Sequence, residues 1–187
     1  YDVSWIGRFF FGIANILNVK FICKNICTKK MNQYKSFSSK RLIIRPTFEQ
    51  DDKLIFHLMN TPKFIKYVGD RKISSVNDAK NYIKVKMLAQ LYLMGYSSYT
   101  LINKSNGDKI GICGLYNRAG VDGIDIGFSI LPHFERLGYA YESSSRLIKG
   151  AFEELEIEEI KAITNQDNIS SKNLLKKLGF KLIGKTI

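Results

Sequence analysis

Cysteine is scarce in this chain: Cys23, Cys27 and Cys113 are the only three in 187 residues. An odd number without a framework of spacings argues against a disulfide-stapled secreted scaffold and fits a reducing cytosol, so the cytoplasm is the expected compartment. Cys23 and Cys27 would share a helical face. Neither His57 nor His133, the only histidines, stands at a spacing that completes a zinc site with them, so no metal is expected. Acidic residues are also few, 17 against 29 Lys and Arg, for a net charge of +12. Such a surface attracts phosphates and acidic partners. The bases are scattered, however, and no compact RNA- or DNA-binding signature accompanies them, so nucleic-acid binding is not the expected role. Long apolar runs are missing. Residues 9–17 are interrupted by Asn15 and flanked by Arg8, Asn18 and Lys20, well short of the roughly 20 residues of a membrane span. Nor do small residues follow that run as in a signal peptide. Internal repeats and low-complexity tracts are absent too.

What remains is ordinary for a globular chain, 45% hydrophobic and 25% charged, with the length of one domain. Residues 1–39 read as an N-terminal extension. The chain opens on Tyr1, and Met31 is followed at once by the polar run NQYKSFSSK. Two readings stand, an interfacial amphipathic helix or sequence upstream of a true start at Met31, and the change in composition favours the second. The domain proper is expected over residues 40–187.

Its elements follow from periodicity and punctuation. RLIIRP, residues 41–46, reads as a strand ended by proline. Thr47, with Glu49, Asp51 and Asp52 behind it, reads as a capped helix start, and Thr61-Pro62 as that helix's end. A second helix is expected over residues 75–94, capped by Ser75 or Asn77 and stopped by Gly95. Residues 98–103 and 109–116 flank Ser105-Asn106-Gly107-Asp108, a hairpin turn whose Asn-Gly tolerates positive φ. Gly111 and Gly114 in the return strand suggest a bulge or a close backbone approach. In residues 124–130, Ile124, Ile126, Phe128 and Ile130 alternate with Asp125, Gly127 and Ser129, a half-buried strand stopped by Pro132. A loop to Gly138 opens a helix near Tyr139, with Ala140, Ser144, Leu147, Ile148, Ala151 and Phe152 inward. A parallel strand (159–164), a short helix ended by Gly179 and a last strand (180–184) complete the order. The fold class is therefore α+β: a mixed, mostly antiparallel sheet flanked by helices, with one β-α-β crossover. Strand, glycine loop and helix N-terminus at 124–142 aim free N–H groups and a helix dipole at one spot, which suits a phosphate.

This order, together with three motifs, resembles the GNAT superfamily of N-acetyltransferases, and within it the branch of ribosomal-protein N-terminal acetyltransferases. The motifs are DIGFSILPHFERLGYAYE (125–142), Asn168-Ile169-Ser170-Ser171 followed by Leu175-x-Lys177-Leu178-Gly179-Phe180, and RLIIRP as first strand. The resemblance covers about residues 40–187. It implies acetyl-CoA as co-substrate, no metal, a primary amine as acceptor (a protein N-terminus or a small molecule), and a monomer or homodimer. It places the pantetheine arm along the backbone of Ser129, Ile130 and Leu131. The pyrophosphate falls on the amides of Leu137, Gly138, Tyr139 and Ala140.

Within that resemblance Asp125 is the candidate base, through water, and Ser171 corresponds to a serine that protonates the leaving thiolate. The alternatives are a solvent-facing strand acid and a helix-start hydroxyl. Asn168 either bonds the pantetheine arm or caps its helix. Glu142 is read as holding the dipole and the loop, and Tyr116 and Phe128 as shaping the acceptor pocket or the core. The chain departs from the pattern in two places. Glu135 stands where the family has Gln or Arg, with Arg136 placed to compensate, and the family's strand after FKLIG is missing. Those departures motivate an alternative, a catalytically silent acyl-CoA-binding or regulatory domain.

Overall fold

The computed structural model describes residues 34–118 and 123–184. The readings made on residues 1–33, Met31, Cys23 and Cys27 included, lie outside them. Residues 34–180 form one compact unit. Its elements in chain order are β1 (Phe37–Ser38), β2 (Leu42–Pro46), a 3-10 turn (Glu49–Asp51) running into α1 (Asp52–Met59), and α2 (Pro62–Val68). Then come α3 (Val76–Tyr82), a π-helical stretch (Ile83–Leu88) and α4 (Ala89–Met94), followed by β3 (Ser98–Asn103), β4 (Lys109–Asn117) and β5 (Ile124–Ile130). A 3-10 turn (Pro132–Phe134), α5 (Tyr139–Glu154), β6 (Ile160–Lys161) and α6 (Ile169–Lys177) close the order. The six strands lie in sequence order across one sheet. All neighbours are antiparallel except β5 and β6, which are parallel across the α5 crossover.

The sheet has two buried faces. On one, α5 lays Leu147 and Ala151 against Leu42, Ile44, Tyr99 and Leu115. On the other, α1, the π-helical stretch and α4 cover Ile112 with Leu54, Leu58, Ile83 and Leu91. The 3.6-residue phase of α5 turns Gly150 inward and leaves Phe152, expected inside, 46% exposed. Gly150 has a packing reason. A Cβ there would stand 2.4 Å from Phe37 Cε1 and 2.7 Å from Cδ1. Gly150→Ala gains about 1 kcal/mol of helix propensity but overpacks that ring, which costs about 1–3 kcal/mol. The variant is expected to be net destabilised in urea titration; net stabilisation would show that the β1 edge yields freely.

Several expectations are revised. Thr61-Pro62 starts α2 instead of only ending α1: proline at the first helical position loses no hydrogen bond, and Thr61 accepts the Phe64 N–H at 3.3 Å. Thr47 is not the α1 cap. It is buried and bonded to Thr100, while Asp51 accepts the Phe48 N–H. The second helix is capped by Ser75 and stopped by Gly95 in the left-handed region, as the sequence suggests, but its middle is widened to a π-helix. The bulge falls where β4's register shifts beside Gly111, whose added Cβ would meet the Ser129 carbonyl at 2.3 Å. Residues 180–184 form no strand. Phe180 packs against the core, but beyond it Leu182 and Ile183 are 91% and 87% exposed, and a segment that finds no ladder and buries neither of those side chains has nothing to hold it extended.

Candidate active site

The site is built where β5 and β6 part. They pair only at Ile124–Ile160 and Asp125–Lys161, after which the chain turns so that the Ile163 N–H meets Asp125 Oδ1 at 3.1 Å. Beyond this fork, one edge of β5 has no neighbouring strand among the described residues. The Leu131 N–H is given to the Ile110 carbonyl (2.9 Å). By antiparallel alternation Ser129 and Leu131 turn their backbone to β4, and Phe128 and Ile130 present theirs to the open edge. The expected trio of Ser129, Ile130 and Leu131 is thereby corrected: of the three, only Ile130 offers its N–H there, joined by Phe128.

Next to this edge lies a cleft of about 910 Å³, walled by α1 to α4 on one side and by β4, β5 and the start of α6 on the other. Ser129, Phe128, Tyr116, Asn168 and Ser171 line it. Asn168 Oδ1 accepts the Ser171 N–H (3.1 Å) and so caps α6. The Ser171 hydroxyl has no protein partner among the described residues. Asn168 thus caps α6 through Oδ1 while its amide nitrogen has no partner among the described residues, and Ser171 Oγ is left to the cleft. Tyr116 lays its ring over two facing glycines, since a Cβ on Gly114 would meet its hydroxyl at 2.5 Å and one on Gly127 its Cε2 at 3.0 Å. Burial raises the Tyr116 phenol well above its ordinary range, against a hydrogen bond with Ser98.

Asp125 does not line the cleft. It is 1% exposed and pairs with Arg118 Nε at 2.6 Å. Burial pushes its carboxyl above the usual range, and the Arg118 charge and the Ile163 N–H offset this only in part. Oδ1 takes the Ile163 N–H and Oδ2 faces the Arg118 guanidinium as an ion pair without a further hydrogen bond, so the geometry makes Asp125 a residue that fixes the fork and Arg118, in place of a base facing substrate. It is not a solvent-facing acid either.

The glycine loop follows β5. Arg136 (φ 60°) and Gly138 (φ 84°) both take the left-handed conformation, which turns the chain into the 16-residue α5. The peptide N–H groups of residues 136–141 donate to no acceptor among the described residues. These are the orphan donors of a helix start, and they gather at its positive end. Glu135 does not face them: it pairs with Lys63 of α2. The loop is held from behind by Arg41, a residue the sequence offers only as part of a strand. Its guanidinium bonds the Leu137 carbonyl (2.9 Å) and Glu142 Oε2 (2.7 Å) and lies 4.3 Å over the Tyr139 ring. Burial opposes ionisation of Glu142, but the Arg41 N–H, the Arg41 guanidinium and Ser39 outweigh it and hold the carboxyl below its usual range. Its acidic charge is satisfied there, as the structural reading of Glu142 expects. Two further cleft residues, Arg71 and Lys86, carry no sequence signal that separates them from other surface bases.

No group of three His, Cys, Asp or Glu among the described residues could hold a metal ion, and none of their helices is long and apolar enough to cross a membrane. A strand fork, an open sheet edge and a helix start with free N–H groups thus follow one another along the chain, within a mixed sheet flanked by helices of the acetyltransferase kind. The chain belongs to the GNAT family: the family's acetyltransferase (GNAT) domain matches residues 41–181. Among particular relatives, it is 29% identical over 146 residues to the uncharacterized N-acetyltransferase YoaA of Bacillus subtilis, covering 77% of this chain and 81% of that one. Its fold is shared with the ribosomal-protein-S5-alanine acetyltransferase from Vibrio fischeri (TM-score 0.66, 18% identity, 79% and 83% of the two chains). It is shared as well with RimL, a ribosomal L7/L12 alpha-N-protein acetyltransferase solved in complex with coenzyme A (TM-score 0.69, 16% identity, 80% and 86%).

Proposed function

We propose that this protein transfers an acetyl group from acetyl-CoA to a primary amine in the cytoplasm. The observation that carries the reading is the set of undonated N–H groups at residues 136–141, continuous with the open β5 edge and the cleft. Two phosphates suit such an array. Leu137, Gly138, Tyr139 and Ala140 would hold the pyrophosphate through their amides, with Arg136 beside them and Arg41 keeping the loop in shape. Phe128 and Ile130 would bond the pantetheine amides as a neighbouring strand does, and Asn168 would hold the arm through its amide nitrogen. Bound there, acetyl-CoA supplies an activated thioester. Ser171 Oγ, free in the cleft, is the group that gives the departing sulfur its proton. No Asp or Glu lines the cleft. The amine's own proton therefore leaves to water, aided by the neighbouring cations, which disfavour an ammonium.

Acetyl-CoA at about a hundred times its Kd is expected to stabilise the protein by about 2.7 kcal/mol, and adding amines is expected to release free thiol. Absence of any thermal shift at millimolar acetyl-CoA would sink the reading. A shift without thiol release across an amine panel would leave the silent acyl-CoA-binding domain instead.

A further inference from the structure

The charged residues that line the cleft are all cationic. Arg71, Lys86 and Arg118 line it, and none of the lining residues is an Asp or Glu. Arg118 is compensated by Asp125 beneath it. Arg71 and Lys86 are exposed and have no ion-pair or hydrogen-bond partner among the described residues. Both also wall a side pocket of about 250 Å³ that opens beside the cleft, where Lys72 is already paired with Asp70 at 2.8 Å. The one acid on that side pocket, Asp78, keeps its charge, held by the N–H and hydroxyl of Ser74, but it does not line the cleft itself. Lys86 lies within the π-helical stretch Ile83–Leu88. A widened turn costs hydrogen-bond geometry, and such turns concentrate at functional sites. Here it carries Lys86 and Met87 along the cleft wall, next to Tyr82 at the end of α3.

An acceptor whose only charge is its ammonium is repelled by this rim. One that also carries a carboxylate is attracted to it, and the guanidinium fork of Arg71 matches a carboxylate's two oxygens. We propose that the acceptor is a carboxylate-bearing amine whose acidic group is bound by Arg71 and Lys86. The inference rests on the amine-acetyltransferase reading above and names the chemistry of its second substrate. The carboxylate is a side chain's: that of a free acidic amino acid, over and above its α-carboxylate, or that of an acidic residue just after a peptide's N-terminus.

The test compares acceptor pairs that differ only in charge. L-glutamate is set against L-glutamine, and a seryl peptide continuing with two glutamates is set against its glutamine counterpart, each with acetyl-CoA and thiol release as readout. In at least one arm the acidic member is expected to show a kcat/KM about tenfold higher, falling with added salt. The arm that responds tells free amino acid from peptide. Replacing both bases (R71Q with K86Q) is expected to bring that ratio to within about twofold, mainly through KM. The variant's acetyl-CoA-induced thermal shift reports that it is folded. Equal use of both members in both arms, no use of either acidic member, or a ratio untouched by the double variant overturns the proposal. With the acetyl-CoA shift intact, those outcomes leave the acetyltransferase reading standing. If the shift itself is absent, that reading falls, and calorimetric binding of the acidic over the neutral members, dependent on Arg71 and Lys86, decides the proposal by itself.

Discussion

Asp51→Asn is expected to cost about 3 kcal/mol of stability, at the low end of what breaking a buried ion pair costs, and to lower Tm by roughly 6–12 °C. Asp51 is fully buried. Its carboxylate takes both Arg45 guanidinium nitrogens at 2.7 and 2.8 Å, Lys109 Nζ at 2.6 Å, the Thr100 hydroxyl at 3.0 Å and the Phe48 N–H at 3.0 Å. One side chain thus ties β2, β3 and β4 to the start of α1. The low end applies because Lys109 is 35% exposed and can turn to water, whereas Arg45, at 18%, has less room to do so.

The pH dependence of that loss has a definite sign. Burial alone would raise the Asp51 carboxyl, but hydrogen bonds from Arg45, Lys109 and Phe48 outweigh it and set it below its ordinary value. A carboxylate with a lowered folded pKa contributes stability that is whole above the unfolded value, about 4, and is lost as pH falls through the folded one. Urea titrations from pH 7 downward should show the gap between wild type and Asp51→Asn holding to about pH 4 and shrinking below it. A gap under about 1 kcal/mol at pH 7 would mean that the network holds nothing together.

That network was invisible in the sequence, and it shows where sequence reading stops. Alternation over residues 124–130, the Asn106-Gly107 turn and the stops at Gly95 and Gly179 are local, set by side-chain period and by φ, so the elements they bound are the ones found. Asp51 and Thr100 are 49 residues apart, and Arg41 and Glu142 are 101 apart. No local pattern encodes such pairs. Pro62 misled because a proline suits the first turn of one helix as well as the end of another. Two-residue β1 carries too short a pattern to read, and β5's open edge depends on where β6 turns away. The candidate site divides in the same way. The loop at 136–140 and the Asn168–Ser171 segment are written in the chain. The burial of Asp125, which removes it from the substrate side, is a property of the fork.

Ser171→Ala is expected to lower kcat about a hundredfold while leaving KM for acetyl-CoA within about twofold. The magnitude sits at the lower end for a proton donor, because a thiolate is already a fair leaving group without full protonation. The assignment rests on the division of labour at the start of α6. Asn168 Oδ1 takes the Ser171 N–H, so the cap is supplied without the serine hydroxyl, and removing that hydroxyl costs the helix little. Asn168→Ala should behave in the opposite way. It forfeits the cap, about 1 kcal/mol, and loosens the segment that meets the pantetheine arm, so it should raise KM for acetyl-CoA more than it lowers kcat. A purely structural serine would show the same pattern as Asn168. Chemical rescue separates the two: small acids in the assay should restore part of the Ser171→Ala rate and leave wild type unchanged. A kcat within twofold of wild type in Ser171→Ala would remove the serine from the chemistry, and Tyr116, the cleft hydroxyl that lies against Gly114 and Gly127, would become the donor to test.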